Sequence, residues 1–201
     1  MRAVLVSPAV VTVLVLAATP ASAQYAWDGP SLVGPHTPQG LSVLLAANGP
    51  GDALGVLAHW RQDRGAFGLG YRAGLVQSDA DDVAVFGGVD VSGVLAGSIE
   101  DADIQVLWWS GLGAGLGDEL AVTVPVGLVA GWRGVGDGNV FAPYAGAHVA
   151  LDVASGEGDS LSLDASLDLG LDLTLVSGWV VRFGASLFGR EALGVGVRIP
   201  S

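Results

Sequence analysis

From Leu161 to Leu175 the chain alternates without a break. Leu161, Leu163, Ala165, Leu167, Leu169, Leu171, Leu173 and Leu175 take the odd positions; Ser162, Asp164, Ser166, Asp168, Gly170, Asp172 and Thr174 take the even ones. Period 2 sends one set to each face of a β-strand, whereas a helix would spread the leucines around its axis. At about 3.3 Å per residue such a strand runs about 50 Å, longer than most strands of globular domains. The leucine face must therefore meet either a large protein core or lipid.

The same alternation, broken by turn clusters every ten to twenty residues, predicts strands over Leu41–Asn48, Ala53–Gln62, Ala66–Gln77, Val83–Ala96, Ile104–Leu116, Leu120–Arg133, Val140–Val153, Leu161–Leu175, Trp179–Gly189 and Ala192–Ile199. Val135–Asn139 reads as a Gly/Asp turn. No interval is long enough for a crossover helix, so the order is up-and-down and the class all-β, with about ten strands and eight if the weaker ends do not pair. Before them, Gln24–Gly40 carries Gly29-Pro30, Gly34-Pro35 and Pro38 and reads as an extended periplasmic lead-in.

The first residues set the compartment. Arg2 precedes an apolar run, Ala3–Ala18, and Pro20 precedes Ala21-Ser22-Ala23, a small-x-small cleavage pattern before Gln24. That is a secretory signal over 1–23, too short and wrongly flanked for a spanning helix. The reading is thus signal (1–23), lead-in (24–39) and one barrel domain (40–201). The chain has no cysteine, so neither a lipid-attachment thiol nor a disulfide is available.

Composition sharpens the choice between core and lipid. Charged residues are only 14%, there is no lysine, and mean hydropathy is +0.56, yet after the signal no stretch approaches the ~20 apolar residues of a membrane helix. A chain too apolar for water but without helical spans fits a transmembrane barrel, whose apolar residues are dispersed by alternation. The faces opposite the aliphatics are mostly Gly, Ala, Ser and a few charges, which suits a narrow curved interior. On this reading Asp90, Asp152, Asp164, Asp168 and Asp172 point inward with Arg61, Arg72, Arg133, Arg182, Arg190 and Arg198, a nearly balanced network. If the turn at 176–178 sets Leu175 opposite Trp179, then Asp172 faces Arg182, Asp168 faces Ser186 and Asp164 faces Arg190. The rings also sort by end. Trp60, Phe67, Trp132, Phe141 and Trp179 flank alternate turns, which share one end of an up-and-down barrel, and all point to the apolar face as interface anchors.

These features together resemble the small outer-membrane β-barrel proteins of the OmpA/OmpX-like kind over roughly Gly40–Ile199. The resemblance implies location in the outer membrane of a Gram-negative cell, contact with outer-membrane lipid, and a ring-lined end that faces the periplasm.

Catalytic and metal chemistry find little support. His36 lies in the lead-in, while His59 and His148 point inward and read as satisfied lumen histidines. A lipid A deacylase resemblance would want a serine two residues after the histidine, and Ala150 stands there after His148. No Cys or His cluster offers a soft-metal site, and no cofactor is implied. The acidic turns Ser78–Asp82 and Gly156–Ser160 could bridge lipopolysaccharide phosphates through divalent cations, although solvated turns are the simpler reading. A net charge of −12 argues against nucleic acid. The expectation is an outer-membrane barrel with a structural or narrow-pore role and no catalysis. An exported soluble β-sandwich binding module and an outer-membrane lipid-modifying enzyme are the alternatives.

Overall fold

The computed structural model describes residues 30–48, 54–65, 67–77, 83–95, 103–117, 120–155 and 160–200. The expected signal, the first residues of the lead-in and the acidic turns at 78–82 and 156–159 lie outside the described residues. Eleven strand segments follow one another: β1 (Gly40–Asn48), β2 (Leu54–Arg64), β3 (Phe67–Gln77), β4 (Val83–Val94), β5 (Ile104–Leu116), β6 (Leu120–Trp132), β7 (Gly134–Gly136), β8 (Asn139–Ser155), β9 (Ser160–Thr174), β10 (Val180–Leu187) and β11 (Ala192–Arg198). Sequence neighbours pair antiparallel except β6 and β7, β1 pairs with β11, and β6 pairs with β8. The sheet is therefore a closed barrel without a free edge.

Its staves number ten, because β6 and β7 are one stave interrupted by a proline. Gly131↔Tyr144 in the β6–β8 ladder and Gly134↔Phe141 in the β7–β8 ladder keep a single register. That register sets Trp132 opposite Pro143, which has no N–H to give the ladder. The expected turn at Val135–Asn139 is correspondingly tighter. Gly136 pairs with Asn139 across Asp137 and Gly138, whose φ values of 51° and 78° are those of a type I′ hairpin. An Asp-Gly dipeptide is a strong signal for that turn, and it draws residues 134–136 into the wall. The second interior proline acts the same way. Between β5 and β6 the ladder skips from Ser110↔Val126 to Gly113↔Thr123 around Pro125, and Ser110 Oγ donates instead to the Pro125 carbonyl at 3.0 Å.

Alternation converts closure into two environments. The outward positions between the rims are aliphatic, aromatic or small, and among the described residues none there is charged. Leu112, Leu116, Leu128, Leu161, Leu163 and Leu193 stand largely bare. The inward positions hold the buried charges together with a set of large apolar side chains: Leu44, Leu57, Phe86, Leu107, Trp109, Val129 and Tyr144.

Those inward apolar groups face a segment from the lead-in. Expected outside the barrel, residues 30–37 instead run within the lumen, with Ser31, Leu32, Val33 and Thr37 all buried. Gly34 and Thr37 close a turn over Pro35-His36 through Thr37 N donating to the Gly34 carbonyl at 3.1 Å, with proline at the position such turns favour. A side chain at position 34 would collide with the Tyr144 ring, 2.7 Å from the place of its Cβ.

Tyr144 is also the reason for Gly170 on the neighbouring stave. The two are Cα partners, and a Cβ at 170 would lie 2.0 Å from Tyr144 Cζ. Gly170→Val should therefore destabilise the barrel by about 1–3 kcal/mol through overpacking, whereas Gly136→Ala, with open space around it, should be near neutral. Urea titration of the folded band in detergent or lipid measures both. Equal midpoints would mean that the Tyr144 ring does not sit over residue 170.

Candidate functional site

The candidate site is the lumen, where wall and inserted segment meet. Arg182 is its hub. Arg182 and Asp172 are Cα partners on β10 and β9, and Arg182 Nε donates to Asp172 Oδ1 at 2.8 Å. The rest of the guanidinium reaches across the barrel. Nη1 lies 3.4 Å from Ser42 Oγ and 3.3 Å from His59 Nδ1, while Nη2 donates to the Leu32 carbonyl at 2.7 Å. Thr37 Oγ1 donates to the other Asp172 oxygen at 3.1 Å. Since a guanidinium only donates, His59 Nδ1 is the acceptor and its Nε2 carries the proton, facing Asp90 Oδ2 at 3.5 Å.

Asp90 is the second node. Arg61 Nη1 donates to its Oδ1 at 3.0 Å, and Arg72 Nη2 lies 4.0 Å from Oδ2 while donating to the Ser31 carbonyl at 2.8 Å. Arg61 also contacts Ser92 and, at 3.5 Å, Asp63 at the rim. His59 thus joins the Asp90 and Asp172 groups into one buried network spanning β1 to β4 and β9 to β10. Such burial is tolerable because each charge has an opposite charge and further hydrogen bonds; isolated, it would cost several kcal/mol.

Toward the opposite end, Asp168 accepts from Ser186 Oγ at 2.5 Å and from His148 Nδ1 at 2.9 Å, and the His148 ring packs 5.4 Å from Trp109. Asp168 therefore pairs with a histidine and a hydroxyl. Ser186 donates to the carboxylate and not to the imidazole, so it is not placed as a nucleophile against His148. Beside them Arg190 bonds Asp152, which also accepts from Thr123 Oγ1 at 2.5 Å.

Three expected members of the network take other positions. Arg190 was expected opposite Asp164, but the β9–β10 ladder ends at Leu187↔Leu167. Phe188 and Gly189 then adopt positive φ values of 63° and 61°. That turn swings Arg190 to Asp152, leaving Asp164 at 3.8 Å. Arg133 has the inward parity yet stands exposed at the break between β6 and β7, outside the buried network. Arg198 lies at the rim, donating to the carbonyls of Gln39 at 2.8 Å and Gly178 at 3.1 Å, neither of them a carboxylate.

The five rim rings, Trp60, Phe67, Trp132, Phe141 and Trp179, all stand on the outward face near the end where β1 begins and β11 finishes. Tyr71 and Trp108 extend the group, their rings 5.5 Å from Trp60 and 6.4 Å from Phe67 respectively.

Two apolar sockets complete the lumen. Leu32 packs with Leu44 and Leu57, Val33 with Leu107, Trp109, Val129 and Tyr144, and Phe86 touches both clusters. Their only signal in sequence is that large apolar residues intrude on the polar face, as in Leu44-Leu45 and Trp108-Trp109. Among the described residues no group of three His, Cys, Asp or Glu side chains is placed to hold a metal ion.

These contacts rank the charges. Asp152→Asn, which leaves Arg190 without its bonded carboxylate, should cost about 3–5 kcal/mol, while Asp164→Asn should cost under about 1 kcal/mol, being partly exposed. For Asp172 and Arg182, reversal of both should fold better than either single reversal, with a coupling of about 1–3 kcal/mol. Unfolding titrations of the single and double variants measure these, and additive damage would mean that the pair does not interact.

No family model matches the chain, and no curated protein matches it. Among solved structures it is similar to a KdgM porin at 12% identity and a TM-score of 0.45, over 80% of this chain and 98% of that one. It is also similar, at 10% identity and a TM-score of 0.32, to a structure described as "Unveiling the Mechanism Behind the in-meso Crystallization of Membrane Proteins", over 79% of this chain and 83% of that one. Likenesses this distant carry no argument about function.

Proposed function

We propose that the chain is an outer-membrane β-barrel with a structural or narrow-pore role, its lumen sealed at rest. The observation that carries this reading is the outer wall: a closed sheet whose outward positions between the rims are uncharged and largely bare. A soluble protein rarely exposes apolar patches beyond a few hundred Å², and a sandwich would bury this face against a second sheet. Ten staves make a tube slightly wider than the eight-stranded OmpA/OmpX type, whose interior side chains fill it. The inserted segment occupies that added width, and the ring-lined end supports an interface at the level of the lipid headgroups. A channel through such a lumen is small or closed. The buried histidines sit among partners that hold them, which favours this role over a lipid-modifying enzyme.

Heat-modifiable migration of the membrane fraction tests the reading, since folded barrels resist SDS until boiled. Recovery as a soluble, unshifted periplasmic protein would overturn it in favour of the sandwich module.

Lipid exposure makes a second expectation quantitative. Leu169 lies mid-strand on the outer wall, so Leu169→Arg should cost about 2–4 kcal/mol in a bilayer, against about 0–1 kcal/mol for Val135→Arg at the rim hairpin. Unfolding titrations in lipid vesicles measure the difference. Equal costs would place both residues in water.

A further inference from the structure

The lumen holds a short peptide segment, residues 30–37, against a set of matching wall groups. Two arginines grip successive backbone carbonyls: Arg72 donates to Ser31 at 2.8 Å and Arg182 to Leu32 at 2.7 Å. Two apolar sockets then take successive side chains, Leu32 between Leu44 and Leu57, and Val33 among Leu107, Trp109, Val129 and Tyr144. The segment belongs to no ladder of the sheet. Its main anchors are these side-chain bonds, the two sockets and the Thr37 bond to Asp172 at 3.1 Å.

The two sides of this contact are unequal. The wall is paired without the segment, because Arg182 keeps Asp172, Ser42 and His59, and Arg72 keeps Asp90. The segment is held in a conformation that it would not choose alone. Leu32 has φ of 55°, a left-handed backbone that a bulky residue adopts only when its surroundings impose it. Release therefore relaxes the segment and leaves no wall charge without an opposite charge. It also vacates the space that Leu32 and Val33 fill between Leu44 and Leu57 on one part of the wall and Leu107, Trp109 and Val129 on another.

We propose that residues 30–37 are a reversible plug, an internal ligand whose withdrawal converts the sealed barrel into a narrow conducting pore. The wall site selects a short peptide with two adjacent aliphatic side chains and free carbonyls for the two arginines. This proposal rests on the reading of the barrel as membrane-spanning.

The full-length Val33→Cys variant tests it, since the natural chain has no cysteine to interfere. In planar bilayers a positively charged methanethiosulfonate should react with Cys at 33 slowly, and each modified barrel should pass from closed to persistently open. Open probability should rise at least tenfold and fall again on reduction. A Cys that stays unmodified while Val135→Cys at the exposed hairpin reacts fully would overturn the proposal, because the plug would be permanent. Modification without a change in conductance would also overturn it, because something else would seal the lumen. Should Val33→Cys not give a heat-modifiable band, full-length Gly34→Trp decides instead. Its ring cannot fit beneath Tyr144, so the pore should open, and the synthetic peptide Pro-Ser-Leu-Val-Gly-Pro-His-Thr should block it. A heat-modifiable Gly34→Trp barrel that stays closed overturns the plug while leaving the membrane reading intact. Loss of heat-modifiability in the natural chain would overturn the membrane reading itself.

Discussion

Closure of the sheet is the constraint on which everything else here depends. Once β1 pairs with β11 and β6 with β8, every one of the ten staves has two neighbours and the sheet closes on itself. The pleat then divides side chains between an unlimited outside and a confined inside. A charge on the outside would face hydrocarbon if this wall spans a bilayer, and none stands between the rims among the described residues. A charge on the inside has little water to call on, so it must find an opposite charge on another stave. Arg182 shows how far that reaches: its one guanidinium ties β10 to Asp172 on β9, Ser42 on β1, His59 on β2 and the carbonyl of Leu32.

The lumen is consequently two kinds of interior at once. Ion pairs around Asp90, Asp172 and Asp152 lock staves together, and they do so at fixed register because a two-residue slip would separate each charge from its partner. Between those pairs lie apolar patches, joined through Phe86, that the inserted segment completes. Leu32 packs onto Leu44 and Leu57 on one side, and Val33 onto Leu107, Trp109 and Val129 on the other. The inserted segment thus serves in place of the hydrophobic core that a barrel of this width lacks. Its small residues follow from the same crowding: Gly34 lies against the face of Tyr144, whose ring in turn lies over Gly170.

Prolines mark where this regular wall yields. Pro125 and Pro143 sit inside strands that have neighbours on both sides, a placement that usually argues against a central strand. Here each interrupts one ladder locally and leaves the register unchanged on either side. The break opposite Pro143 also explains why Arg133, inward by parity, escapes to the rim.

The sequence by itself determined the strands, their up-and-down order and the sorting of faces, because period-2 alternation is a local property, read from a few neighbouring residues at a time. It also specified the pairing of Asp172 with Arg182, since a hairpin turn of known position admits only even shifts of register and a two-residue shift would leave Asp172 opposite Gly184 or Val180. What only the tertiary structure decided involves partners far apart along the chain. Thr37 meets Asp172 and Arg182 meets Leu32 across separations of 135 and 150 residues, and nothing periodic in residues 30–37 announces a place inside the barrel. Leu44, Trp109 and Val129 read as lapses in alternation until the segment that covers them is in view. Arg190 belongs to Asp152 because a turn with two positive φ values redirects it, and a hairpin extrapolated at constant register leads to Asp164 instead. Local chemistry chooses which face a residue takes, but which side chains meet in the lumen is settled only when the sheet closes and ten staves compete for one enclosed volume.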